Sequence, residues 1–431
     1  MEKNKVSVIL PSLNVREYIR ECLESAVNQT LKEIEIICVD AGSTDGTIEV
    51  ISEYANRDER IKVIISDIKS YGYQMNLGID NANGDYIGIL ETDDVLSLNM
   101  YEELYEVANG NDVDFVKADF YRFSGTGESI SKAYVKLADC PDRYNRVVDI
   151  QTEQEAFDYP MNIWSGIYKR QFLIDNNIRH NETPGASFQD NGFWFQTFMY
   201  SRRAYFIDKP YYMNRRDNAN SSVYSKGKVF CICDEYDYIY DVLKRDAKNL
   251  QEYGRSFASA CFRAYKANLD RISDEYSLDF IKRWSEDFRK YKNEGLLDNA
   301  GIIGYNWEML MQIIDDPEGY YRKVAYLEKQ FLKEVALKDC FIIYGAGQIG
   351  KKSLDKLENI GLGDKVVSFA VTKKDDNIGN YNGIPINGVD DLVEYRNKAC
   401  VIVATADQHR KDIVNTLKDK CFEDIIFAPY K

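Results

Sequence analysis

The sequence predicts an α/β protein in three parts: an N-terminal domain on a doubly wound parallel sheet, a helical segment, and a small second α/β domain. Three observations carry this reading. Short β-branched apolar runs alternate with helix-period segments near the N-terminus. No proline occurs between Tyr211 and Asp316, where apolar residues recur at helical spacing. Further on, a strand pattern runs straight into Gly345-Ala-Gly-Gln-Ile-Gly350 and another helical pattern.

The apolar runs at 6–10, 34–39, 61–65 and 86–90 have the length and branching of buried parallel strands. Helical patterns at 18–27 and 48–54 separate them, which is βαβ repetition and places the first domain at 1–225. Between 226 and 335, Tyr236, Ile239, Tyr240 and Leu243, then Phe257, Cys261 and Ala264, mark helices with apolar stripes. From 336 to 431, strand patterns at 340–344, 366–371 and 400–404 describe the second α/β domain.

Composition narrows the function classes. The chain has 431 residues, 45% hydrophobic and 29% charged, with a net charge of −15. Such a balance excludes a general nucleic-acid binder, which works through clustered positive charge. No apolar run approaches the roughly 18 residues of a membrane helix. The first residues read as a strand rather than a signal peptide. Nine cysteines without a CxxC pair read as reduced thiols, so a cytoplasmic location is expected.

Ligands of doubly wound sheets lie beyond the carboxyl ends of the strands. Three polar clusters fall there: Pro11-Ser-Leu-Asn14, Asp40-Ala-Gly-Ser-Thr-Asp45-Gly46 and Glu91-Thr-Asp-Asp94. In the second, Ser43 or Thr44 could equally be the N-cap of the following helix. In the third, three carboxylates in four residues repel one another unless a cation or donors neutralise them. Mn²⁺ and Mg²⁺ favour such oxygens and share their coordination with phosphates.

Taken together, VSVILPSLN, IICVDAGSTDGT and GDYIGILETDD, in this order and spacing, resemble the inverting glycosyltransferases of the GT-A group called family 2 over residues 5–220. The resemblance implies a nucleoside-diphosphate sugar donor, UDP-linked foremost, and Mn²⁺ or Mg²⁺ as cofactor. It makes Glu91-Thr92-Asp93 the DxD-like triplet, with Glu for the first Asp. Asp93 and Asp94 would hold the metal, Asp94 as the direct ligand and Glu91 beside them. Pro11, Asn14, Asp40 and Ser43 match the donor side, and Asp93 also faces the ribose. Ala41 stands where many members carry a second Asp, which leaves the base open.

Inverting transfer needs one base on the acceptor side. Ser187-Phe-Gln-Asp190 opens an aromatic helical pattern and resembles the family's Glu-Asp motif, with Gln189 for Glu. The match makes Asp190 the base, and Gln189, Trp194 and Trp164 acceptor-side residues. Ser187-x-x-Asp190 is equally the shape of a capping box. His180 has no partner for a zinc site. Seven basic against two acidic residues fall between 202 and 228, with Arg215 and Arg216 suited to a diphosphate, to a solvated surface, or to the phosphate of a lipid-linked acceptor.

Gly345-x-Gly347-x-x-Gly350 has the context of a dinucleotide fingerprint, but the acid about 20 residues on is missing; Thr372-Lys373-Lys374 stands there instead. The domain resembles the Rossmann-like N-terminal domain of bacterial sugar acyltransferases. The expectation is thus a metal-dependent inverting glycosyltransferase of cell-surface polysaccharide or glycolipid assembly, with a glycan or lipid-linked acceptor and no nucleic acid. It would lie in the cytoplasm, with contact to the inner membrane face and homo-oligomer formation both open. Two rivals stand: a dinucleotide-dependent oxidoreductase acting through the C-terminal domain, and a non-catalytic sugar-nucleotide-binding module.

Overall fold

The protein is described here by a computed structural model covering residues 3–218, 225–372, 379–405 and 407–429. Lys373 and Lys374 lie outside the described residues. Two compact units are present, Met1–Ser273 with Leu296–Ala300, and Asp274–Gly295 with Gly301–Lys431.

In the first unit, β1 (Val6–Ser12), β2 (Ile34–Asp40), β3 (Ile61–Ile65) and β4 (Tyr86–Ile89) alternate with α1 (Ile19–Val27), α2 (Thr47–Ala55) and α3 (Tyr71–Asn81). β1 and β2 are buried at every position, as strands covered on both faces are. α1 buries Ile19, Cys22, Leu23 and Ala26, one helical stripe. Gly78 lets α3 lie close to β1: a Cβ there would come within 2.5 Å of Ile9 Cγ2.

The chain continues through β5 (Val95–Leu96), α4 (Met100–Asn111), β6 (Phe115–Ser124), β7 (Ser131–Val135), β8 (Val147–Val148) and β9 (Gly166–Lys169). It closes with α5 (Arg170–Asp175), α6 (Gln189–Tyr200), β10 (Ala204–Arg215), α7 (Cys231–Lys244) and α8 (Ala247–Arg271). The sheet order is β3-β2-β1-β4-β9-β6-β10-β5. The strands expected from the βαβ pattern are parallel to one another. Beyond them the sheet is mixed: β9 runs antiparallel to β4 and β6, and β5 antiparallel to β10. A purely parallel sheet is thus corrected to a mixed one, because β9 enters from a loop rather than a crossover helix.

The second unit holds α9 (Ser277–Asn293), α10 (Tyr305–Asp315) and α11 (Pro317–Val335). They are followed by β11 (Phe341–Tyr344), α12 (Gln348–Asn359), β12 (Val366–Val371), β13 (Asn380–Tyr381), β14 (Ile384–Gly388), β15 (Cys400–Val403), α13 (Asp407–Asp419) and β16 (Ile425–Phe427). Strands β14-β12-β11-β15-β16 are parallel, with β13 antiparallel at the edge. Strand alternation divides its core: Phe341 and Ile343 pack with Leu354, Leu357 and Phe331, while Ile342 and Tyr344 pack with Leu392, Leu417 and Phe422. Of the helices between 226 and 335, α7 and α8 belong to the first unit and α9 to α11 to the second.

Gly345 has φ +110°, and a Cβ on Gly350 would meet Gly345 O at 1.9 Å. The glycines therefore let the turn close over the first turn of α12. Gly350→Ala should cost about 1–3 kcal/mol, the range for overpacking against a backbone that cannot yield. Chemical denaturation followed by circular dichroism checks this; an unchanged midpoint would count against the tight turn.

Candidate active site

The ends of β1, β2 and β4 are tied together before any ligand arrives. The Gln74 amide on α3 donates to Ser12 O (2.9 Å) and Val39 O (2.7 Å), and Thr92 Oγ1 donates to Pro11 O at 3.0 Å. Over these ends lies a cavity of about 510 Å³, lined by Pro11, Ser12, Lys69, Tyr71, Asp93 and Lys228 among others. A second cavity of about 300 Å³ shares Tyr71, Glu91, Asp93 and Ala186 with it and adds Trp164, Gln189, Asp190 and Arg216. The two meet at the acidic loop.

Of the expected donor-side residues, Pro11 and Asp93 line the first cavity; Asn14, Asp40 and Ser43 do not. Asp40 is buried, accepting from Ser12 Oγ (2.7 Å), Ser43 Oγ (2.6 Å), Gly42 N (3.0 Å) and Ser43 N (2.8 Å). Asn14 N donates to Ser43 Oγ, and Asn14 Oδ1 accepts from Thr44 N, each at 2.8 Å. These side chains build the turn, so their donor-contact role is corrected to a positioning one. Ser43 and Thr44 do not cap α2 either: its N-cap position is Gly46, and Asp45 accepts from Thr47 N (3.0 Å) and Thr47 Oγ1 (2.6 Å).

The acidic loop separates its members by environment. Asp94 is fully buried; Tyr212 Oη donates to it at 2.8 Å, Asn214 Nδ2 at 3.1 Å and Arg215 N at 2.6 Å. Burial, with the Asp93 charge adding, pushes its pKa well above the ordinary value against these donors. In this structure Asp94 is held by protein donors and anchors the loop, and it also lines the second cavity. Asp93 is half-buried, borders both cavities, and accepts from Asn218 Nδ2 at 2.8 Å. Glu91 accepts from Tyr71 Oη at 2.6 Å, yet burial, aided by the Asp93 and Asp190 charges, pushes it up to about 8.

Among the described residues, no three His, Cys, Asp or Glu side chains form a metal cage. Asp93, with Glu91 beside it on both cavities, fits a cation that takes its other ligands from phosphate and water. Arg215 is held by partners within the protein. Its buried guanidinium pairs with Glu21 at 2.5 Å, its Nε donates to Asp93 O at 2.8 Å, and it lies over the Phe123 ring at 4.5 Å. It holds the loop and, with Arg216, lines the second cavity.

On the opposite wall, α6 begins at Gln189 after Phe188, whose φ is 66° and which makes no side-chain cap. The capping box is therefore not formed. Ser187 N donates instead to Gln189 Oε1 at 2.5 Å, and Gln189 Nε2 reaches Thr183 Oγ1 (3.0 Å) and Gly185 O (3.1 Å). Gln189 thus shapes the loop that leads into the helix. Asp190 is half-buried in the cavity wall; burial raises it to about 6, against its own N–H, Asn191 N–H and the Asn191 side chain. Trp164 stacks on Tyr212 at 4.3 Å and meets Phe120 edge-on at 4.7 Å, half-exposed to the cavity. Trp194 is corrected to core: it is buried against Phe157 and Phe198 and does not line the cavity. Buried His180 stacks on Phe193, and burial lowers it to about 3, so it stays neutral.

Sequence reasoning missed two supports. Tyr71 follows Ser70, whose hydroxyl accepts from Tyr73 N at 3.2 Å, an N-cap signal legible in the chain. Glu235 on α7 had no signal; its carboxylate accepts from Gly192 N (2.7 Å) in the first turn of α6 and from Asn181 Nδ2 (3.0 Å). Burial, joined by the Asp190 charge, raises Glu235 to about 8 despite these donors. Its folded pKa lies above the ordinary carboxylate value, so this group's stability is full at low pH and is lost as pH rises through about 8. Glu235→Gln should therefore weaken the fall in stability between about pH 5 and pH 8. Urea midpoints at both ends of that window test it, and equal slopes in variant and parent would refute it.

The chain is similar to known proteins in family and in fold. A family model described as "Glycosyl transferase family 2" matches residues 7–188. The chain is 32% identical to the uncharacterized glycosyltransferase EpsJ of Bacillus subtilis (strain 168), over 50% of this chain and 62% of the relative. To glycosyltransferase GlyG of Streptococcus pneumoniae serotype 4 it is 31% identical, over 49% of this chain and 70% of the relative. Among solved structures, TarS of S. aureus (residues 1–349, with UDP-GlcNAc) superposes with a TM-score of 0.58 at 20% identity, covering 76% of this chain and 92% of that one. The fold is thus of the GT-A kind. The chain belongs to glycosyl transferase family 2.

Proposed function

We propose that this chain moves a sugar, with inversion, from a nucleoside-diphosphate sugar to a hydroxyl of a glycan or lipid-linked acceptor, in cell-surface polysaccharide or glycolipid assembly. One observation carries the reading: two cavities meet at Asp93, and a carboxyl poised near neutrality, Asp190, faces only the second. The cavity over the strand ends takes the nucleotide; the bound UDP-GlcNAc of the fold neighbour TarS supports a UDP-linked donor. The catalytic unit is read as 1–225, with 226–335 as helical support and 336–431 as a Rossmann-like ligand-binding domain, for which the parallel strands and the Gly345–Gly350 turn speak. Among the described residues no helix is long and apolar enough to cross a membrane; a cytoplasmic location, at the inner membrane face, belongs to the proposal.

In the transfer, the acceptor oxygen attacks the anomeric carbon, the carbon–oxygen bond to the diphosphate breaks, and Asp190 takes the hydroxyl proton. Burial leaves Asp190 basic enough to accept that proton yet ionised at neutral pH. A bound Mn²⁺ or Mg²⁺, held by Asp93, would offset the charge of the departing diphosphate. Arg215 and Asp94 keep the Asp93 backbone in place, and Trp164 offers an aromatic face to the acceptor sugar.

Two outcomes follow. Asp190→Asn should lower turnover by about 10²–10⁴-fold, and the parent's kcat/KM should fall as pH drops below about 6, where Asp190 becomes protonated. Retention of most turnover in the variant would remove Asp190 from the role. Separately, Mn²⁺ with UDP should raise the Tm of the parent chain, and Asp93→Asn should abolish the Mn²⁺-dependent part. A Mn²⁺ shift that survives Asp93→Asn would place the cation elsewhere.

A further inference from the structure

A charge is buried beside the segment that carries Trp164, and the transfer as derived does not use it. Lys117 on β6 is 1% exposed. Across the ladder it faces Gly166 of β9, where a Cβ would come within 3.0 Å of Lys117 Cγ and 2.2 Å of Val116 O, so the glycine leaves the lysine stem its room. Among the described residues no carboxylate pairs with Lys117, and burial pushes its pKa well below the ordinary value. Its ammonium meets three neutral oxygens instead: Asn162 O and Asn162 Oδ1, each at 2.8 Å, and Tyr168 Oη at 3.4 Å. Those are as many acceptors as it has protons.

The same oxygens belong to the turn around Trp164. Asn162 Oδ1 also accepts from Ser165 Oγ (2.7 Å) and Ser165 N (3.3 Å), which closes the turn across Ile163 and Trp164. Tyr168 Oη donates to Ile163 O at 2.8 Å, and Ala118 N donates to Ser165 O at 2.8 Å. The backbone on both sides of Trp164 is thereby tied to β6 and β9. The indole itself packs on the Tyr212 and Phe120 rings and borders the second cavity. An apolar side chain of like volume would sit in this core at lower cost than an ammonium without a counter-ion. It would leave Asn162 O without that donor, and the turn with one tie fewer. What the buried charge adds is the setting of one turn.

We propose that Lys117 is a positioning residue for acceptor binding: through Asn162 it fixes the turn that sets the Trp164 ring on Tyr212, and so the aromatic face that the acceptor sugar meets. The proposal rests on the reading of this cavity as the acceptor side. Lys117 lines neither cavity, so it acts through Trp164 and not on a substrate.

The test starts from the full chain labelled with 5-fluorotryptophan, whose four tryptophans each give one fluorine resonance. Trp164→Phe assigns the resonance of Trp164. In Lys117→Met that resonance should shift or split while the others stay in place. Tyr168→Phe removes one hydroxyl from the same turn and should perturb the same resonance alone, which covers the case in which Lys117→Met does not fold. With UDP-GlcNAc as donor and octyl β-hexosides as acceptors, Lys117→Met should raise the acceptor KM about tenfold and change kcat by less than about twofold. In the Trp164→Ala background the same change should add nothing, since the residue it acts through is gone. A Trp164 resonance unmoved in both variants overturns the proposal. So does a fall in kcat at unchanged KM, or a KM effect that persists in Trp164→Ala. If the parent transfers sugar to none of the hexosides, the donor or acceptor reading fails instead; the fluorine spectra need no substrate and still decide whether Lys117 sets the ring.

Discussion

Asp94 has no surface of its own, and a carboxylate in that position persists only where donors meet it. Among the described residues its donors come from β10: Tyr212, Asn214 and the Arg215 amide. In the sheet, β9 and β6 lie between β4 and β10. The chain leaving β4 therefore has to cross two strand ends to reach its anchor, and it then adds β5 to the edge of β10. That crossing lays the Glu91–Asp93 backbone over the face where the strands end. The Tyr212 hydroxyl fixes both sides of it, accepting from Glu91 N while donating to Asp94. The boundary between the two cavities is a consequence of satisfying one buried charge.

The same requirement sorts the other carboxylates. Asp40 is filled by two hydroxyls and two amides and closes its turn. Glu235 is spent on the first turn of α6 and on Asn181. Asp93 and Asp190 keep accessible surface and line cavities. The proposed transfer assigns its chemistry to these two, which keep surface on the cavities. Arg215 and Glu235 then act at one remove, the first on the Asp93 backbone and the second on the helix that carries Asp190.

Much of this was legible in the chain, and what was not shares a cause. Parallel strands, the Gly345–Gly350 turn and the position of the acidic loop are local patterns, so period and glycine placement announce them. The run 61–65, read as a buried strand, is corrected to an edge strand with Lys62, Val63 and Ile65 exposed, because among the described residues nothing pairs beyond it. The mixed half of the sheet is not local: β9 joins β4 and β6 through pairings that no periodicity encodes. Likewise, the choice between Asp93 and Asp94 depends on Tyr212 and Asn214, more than a hundred residues away, and adjacent acids look alike until their donors are known. Ser43 and Ser187 failed as caps for a related reason. Each had a better partner, Asp40 for the first and the Gln189 side chain for the amide of the second.

The basic stretch around β10 shows what strand geometry adds to a charge count. Arg215 and Arg216 are neighbours in sequence, and on extended backbone neighbours point to opposite faces. Arg215 takes the face of its register partner Phe123, beside Tyr18 and Glu21, and stiffens the loop. Arg216 follows the face of Asn214 and lines the cavity with Arg122, a residue no basic run in the sequence points to. A protein of net charge −15 repels phosphate at long range. It can recognise one only where side chains from separate strands converge, as Arg122 of β6 and Arg215 and Arg216 at the end of β10 do on the second cavity.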